Sequence, residues 1–113
     1  MKEIKAYVKR ERFDAVVHAL RSVQGLTGMS AVRAHGFGRP RTAEHRHPVD
    51  EDLELLAPHV KVEVVCRDEV VEQVLAAILA HAQTGLRGDG KIYVSRVEDA
   101  IRIATGERGE EAV

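Results

Sequence analysis

Residues 84–94 read Thr84-Gly85-Leu86-Arg87-Gly88-Asp89-Gly90-Lys91-Ile92-Tyr93-Val94, and they join a helical pattern to a strand. Three glycines within six residues let the backbone take positive φ and approach a ligand with no Cβ in the way, while Arg87 and Lys91 add positive charge. The stretch therefore fits either a phosphate-binding loop or an ordinary glycine-rich helix-to-strand turn with solvated basic residues. Upstream, Val70 to Ala82 carries apolar pairs at 70/71, 74/75 and 78/79, the spacing of a helix that buries one face in a core. Before it, Val60, Val62 and Val64 alternate with Lys61 and Glu63, the two-residue period of a strand. Downstream, Lys91 to Val97 reads as a strand. The second half of the chain is thus strand, helix, strand.

The first third repeats that order. Ile4, Ala6 and Val8 alternate with Lys5, Tyr7 and Lys9; Phe13, Val16, Val17 and Leu20 then recur at helical spacing; Gly25 and Gly28 close the helix and lead into a strand over Met29 to Phe37. The whole is β-α-β-β-α-β, an α+β ferredoxin-like sandwich forming a single domain over 1–113. Two helices on one face of an antiparallel sheet leave the other face open, and Tyr7, Val65 and Tyr93 are expected there. Their apolar character predicts that sheet faces pack together in an oligomer.

The composition sets limits on function. Apolar residues at 44% and charged residues at 31% describe a globular chain, and aromatics at 4% leave the core to Val, Ile, Leu and Ala. Few aromatics argue against base stacking, and a net charge of −1 argues against a nucleic-acid partner held by bulk electrostatics. A single cysteine, Cys66, reads as a core thiol. The absence of a membrane-length apolar run or a signal-peptide pattern places the chain in the cytoplasm.

Between the halves, residues 40–58 hold Pro40, Pro48 and Pro58, the run Glu44-His45-Arg46-His47, and the acidic cluster Asp50, Glu51, Asp52 and Glu54. A connection this long is expected to be functional and to be disordered without a ligand. The tail over 98–113 is expected to hold a short strand at Ile101-Arg102-Ile103 and then a polar, fraying end. Of the remaining histidines, His18 and His81 are expected at the helix surface, and His35 lining a cleft.

Taken together, Gly36-Phe37-Gly38-Arg39, Val60-Lys61-Val62-Glu63-Val64-Val65, the stretch from Thr84 to Lys91, and Ile101-Arg102-Ile103-Ala104-Thr105-Gly106-Glu107 resemble the PII signal-transduction proteins. The resemblance runs nearly end to end. It implies a homotrimer with three intersubunit clefts, each able to hold ATP or ADP (or AMP), and a long T-loop at 40–58 that docks on a membrane transporter or a metabolic enzyme. One side of each cleft would be Gly36, Gly38, Arg39 and Val65, with Gly88, Asp89, Gly90 and Lys91 cradling the phosphates in the loop at 84–91. The neighbouring subunit would contribute Gly28, Met29, Ser30, Glu63 and Arg102. No residue is placed for bond-breaking chemistry, so the resemblance implies a sensor and not an enzyme.

Several positions depart from the family pattern. The glutamine that follows Gly-Phe-Gly-Arg, and helps to hold magnesium and 2-oxoglutarate, is Pro40 here. The lysine that pairs with the 2-oxoglutarate carboxylate is His59. No tyrosine for uridylylation stands in Arg46-His47-Pro48-Val49-Asp50-Glu51-Asp52. The second arginine of the Arg-Ile-Arg-Thr-Gly pattern is Ala104, a lost charge-assisted bond expected to weaken the triphosphate by roughly 1.5–3 kcal/mol. The main expectation is a nitrogen/carbon regulator that reads adenine nucleotides with an altered 2-oxoglutarate response. The alternative is a PII-like module responding to bicarbonate, or to a divalent metal held by His45, His47 and His59, and linked to an anion or metal-efflux transporter.

Overall fold

The computed structural model describes residues 1–38 and 57–113. The expectations that rest on Arg39, Pro40, His45 and His47, and on most of the central connection, lie outside these residues. The first strand, β1 (Lys2–Lys9), leads through a 3-10 turn at Arg10–Arg12 into α1 (Phe13–Arg21), and β2 (Ser30–Gly36) follows. After the central connection, β3 (Ala57–Cys66) passes through a second 3-10 turn at Asp68–Val70 into α2 (Val71–Ala82) and then β4 (Ile92–Arg96). The strands form one antiparallel sheet in the order β2-β3-β1-β4, the ferredoxin-like arrangement. No helix among the described residues is long and apolar enough to cross a membrane.

Strand alternation decides which side faces the helices. Ile4, Ala6 and Val8 of β1 and Val60, Val62, Val64 and Cys66 of β3 are buried against Val16 and Leu20 of α1 and Val74, Ile78 and Ala82 of α2. No polar or charged side chain is buried among the described residues, so the core is a dry aliphatic layer. The helices carry charges that suit their dipoles: Asp14 and Glu72 in the first turns, and Arg21 in the last turn of α1. The Nε of Arg12 donates to the carbonyl of His81 at 2.6 Å, which satisfies one of the unpaired carbonyls at the end of α2 and ties it to the start of α1.

The opposite face carries alternating charge and partly apolar groups. Lys61 pairs with Glu63 at 3.1 Å and Lys5 with Glu3 at 3.8 Å, around half-buried Tyr7 and Val65, while Tyr93 is exposed and meets Tyr7 edge-on with ring centroids 6.3 Å apart.

Two boundaries differ from the sequence reading. Pro58, expected in the loop, lies in β3 opposite His35; the ladder with β1 has already ended at His59, so a residue without an N–H is tolerated there. The tail forms no strand at Ile101–Ile103. An isolated bridge joins Ile101 to Arg108, the Arg102 N–H donates to the Glu107 carbonyl at 2.9 Å, and Gly106 at φ +75° turns the chain back. The alternation there reflects a tight turn with an ion pair between Arg108 and Asp99 across its base, and the chain closes in a 3-10 turn at Gly109–Ala112 rather than in a loose end.

Candidate functional site

A cleft of about 780 Å³ opens at the end of the sheet where β1, β2 and β4 meet the glycine loop. Its walls include His35 and Gly36 at the end of β2, Phe37 and Gly38 after it, His59 on β3, and Arg87 through Lys91. Six residues expected to bind the nucleotide, Gly36, Gly38, Gly88, Asp89, Gly90 and Lys91, are thus brought together although they come from segments far apart in the chain.

The loop is anchored to the sheet at several points. The Tyr7 N–H donates to the Lys91 carbonyl at 2.9 Å. Gly90 has φ +94°, and a Cβ on it would stand 1.7 Å from the Tyr7 carbonyl oxygen, so only glycine allows this approach. Asp89 accepts from the Thr84 N–H at 2.9 Å and from the Thr84 hydroxyl, and it pairs with the Lys9 ammonium at 3.2 Å. Lys9 also donates to Thr84 Oγ1 at 3.1 Å. The Thr84 hydroxyl bond holds Asp89 below the usual carboxylate range; partial burial opposes this, and the Thr84 N–H and Lys9 add to it.

His59 closes the other side. Its Nδ1 lies 3.1 Å from the Ala57 carbonyl and its Nε2 3.1 Å from the Gly88 carbonyl. Both neighbours are acceptors, so the neutral ring donates to one of them and the protonated ring to both. Lys91 differs from Lys9: it is exposed and pairs with no carboxylate among the described residues, which leaves its charge available to an anion.

The remaining expected residues stand elsewhere. Ser30 and Glu63 face each other across the β2–β3 ladder, and Val65 lies beyond them opposite Glu3. Glu63 follows Lys61, the β3 partner of the cleft residue Tyr7, by two positions, and none of Ser30, Glu63 and Val65 lines the cleft. Val65 therefore stands with Glu63 on the open face and does not line the cleft with Gly36. Gly28 and Met29 immediately precede β2, with Met29 packed on the core. Arg102 is in the tail, its Nε 3.7 Å from Glu107 and its Nη2 donating to the Glu111 carbonyl at 3.4 Å. A single subunit holds the two sets apart.

The sequence reading missed Lys9 and Thr84 as parts of this site. Thr84 is within the glycine-rich stretch, but Lys9 is 75 residues away and reads only as an outward position of β1. No local signal marks it.

The sequence profile of the family described as nitrogen regulatory protein P-II matches residues 1–107. This chain belongs to that family. The nitrogen regulatory protein P-II of Rhizobium meliloti is 47% identical over 113 residues, and that of Bradyrhizobium diazoefficiens is 44% identical over 113; each comparison spans the whole of both chains. The Haemophilus influenzae protein of the same name is 43% identical over the same full length. Membership agrees with the P-II resemblance of the glycine-rich stretch and with the strand order of the sheet. The alternative of a metal- or bicarbonate-responsive module gains no support from these relatives. Among the described residues no group of three or more His, Cys, Asp and Glu side chains could hold a metal ion.

Proposed function

We propose that this chain is a nitrogen-regulatory signalling subunit of the P-II type, acting in the cytoplasm, which binds ATP or ADP and controls a partner protein through the segment at 40–58. The observation that carries the reading is the cleft in which Gly36 and Gly38 face the loop from Gly88 to Lys91, with the Lys91 ammonium left for an anion. Backbone N–H groups of a glycine loop and a lysine are the groups a polyphosphate needs.

The cleft is completed by a second copy. Ser30, Glu63 and Val65 do not line the cleft of their own subunit, and a homotrimer brings them to the loop of a neighbour. The open face with Tyr7, Val65 and Tyr93, and the exposed Ile101 and Ile103 of the tail, supply apolar surface for that assembly.

The response to 2-oxoglutarate is lost or altered in this reading. His59 stands where the family has a carboxylate-pairing lysine, and both of its ring nitrogens already face carbonyl oxygens of the protein. The test is calorimetry with ADP and with Mg-ATP, then 2-oxoglutarate titrated into the Mg-ATP-saturated protein, alongside the molar mass in solution. Nucleotide binding by a trimer, abolished for the most part in Lys91→Ala and in Arg102→Ala, supports the reading. A monomer without nucleotide affinity overturns it, and micromolar 2-oxoglutarate binding overturns its last part.

A further inference from the structure

The glycine loop carries a carboxylate where an anion is to be held. Asp89 lies between Gly88 and Gly90, and an uncompensated negative charge at that point would repel every phosphate entering the cleft. The structure answers this charge from outside the loop. Lys9, at the end of β1, places its ammonium 3.2 Å from Asp89 Oδ1 and 3.1 Å from Thr84 Oγ1, and its side chain is only 15% exposed, against 28% for Asp89. Thr84 engages both carboxylate oxygens, through its N–H at 2.9 Å and through its hydroxyl. Lys9 is thus spent on the protein itself, whereas Lys91 on the same loop has no carboxylate partner among the described residues.

We propose that Lys9 is a positioning residue that neutralises Asp89 and so makes an acid-bearing glycine loop fit to receive a polyphosphate, acting through Asp89 and not by touching the ligand. The inference rests on the nucleotide-binding reading above. It assigns the two cleft lysines different tasks: Lys91 meets the ligand, and Lys9 cancels the loop's own charge. Because the effect is electrostatic, it grows with the number of phosphate charges and falls with added salt. A merely structural role for Lys9 would weaken AMP, ADP and ATP alike.

The experiment measures AMP, ADP and ATP affinity by calorimetry for the wild type, Lys9→Met, Asp89→Asn and the double variant, at low and high salt. In Lys9→Met the loss should deepen by roughly three- to tenfold with each added phosphate, and shrink at high salt. Asp89→Asn, which leaves the Lys9 ammonium unopposed, should shift binding toward ATP relative to AMP, and the double variant should recover most of the affinity lost in Lys9→Met. Equal losses for all the nucleotides, or a double variant as weak as Lys9→Met, overturn the inference while leaving the nucleotide reading in place. A wild type that binds none of the nucleotides overturns that reading and the inference with it. If Lys9→Met does not fold, the double variant and Asp89→Asn decide: a ratio of ATP to AMP affinity no lower than the wild type's in both supports the proposal, and a lower ratio in either overturns it.

Discussion

Gly90 and Tyr7 lie closer than any other residue type at position 90 would permit: a Cβ on Gly90 would fall 1.7 Å from the Tyr7 carbonyl oxygen. Backbone meets backbone there, and the Tyr7 N–H bonds the next residue, Lys91, at 2.9 Å. The glycine loop is thereby stitched to β1 immediately before β4 begins.

Gly90→Ala should therefore cost roughly 2–4 kcal/mol, combining left-handed strain with a clash that no side chain can relieve. Gly88→Ala should cost about 1–2 kcal/mol, since its φ of +81° carries the strain but the nearest atom to a new Cβ is the flexible Lys9 Cε at 3.7 Å. Urea unfolding of both variants checks the order; equal losses would mean that the contact with Tyr7 does not fix the loop.

Acid should release the loop only below the ordinary carboxylate range. Asp89 is depressed in the folded protein, first by the Thr84 hydroxyl, so its contribution is present above its unfolded value near pH 4 and is lost as pH falls through the lower folded value. The stability difference between the wild type and Asp89→Asn should stay constant from about pH 5 to 8 and narrow below about pH 4. Denaturant midpoints measured across that range read it directly; a difference that changes near neutrality would point to another group.

Adjacent positions on α2 should respond very differently to truncation. Ile78 is 1% exposed and Leu79 47%. Ile78→Ala should cost roughly 2–5 kcal/mol, and Leu79→Ala about 1 kcal/mol or less. Comparable losses in thermal or urea unfolding would mean that α2 buries a different face.

The Cys66 thiol should be silent in the native protein. It is buried at the end of β3, and burial pushes it above its ordinary range, so the reactive thiolate is scarce. Ellman's reagent should label it slowly in buffer and rapidly in denaturant. A fast native reaction would contradict the packing of β3 on the core.

The elements were legible because their signals are local. The alternation of Ile4, Ala6 and Val8, and the apolar pairs from Val70 to Leu79, state the periods of strand and helix directly, and both were found at those places. The tail was misread because alternation over Ile101-Arg102-Ile103 is too short to separate a strand from a turn braced by the bond from Arg102 to Glu107. Pro58 was misread because whether a proline fits a strand depends on where the neighbouring ladder stops.

The sequence by itself determined the secondary elements, the buried faces, the glycine-rich loop and its basic residues, because periodicity and backbone freedom are written into neighbouring residues. Only the tertiary structure decided that Lys9 is bound to Asp89 while Lys91 stays open, that His59 meets Gly88, and that Glu63 and Val65 stand apart from the cleft of their own subunit. These are contacts between distant strands. Their register is set by how the sheet closes over its core, and no stretch of sequence carries it alone.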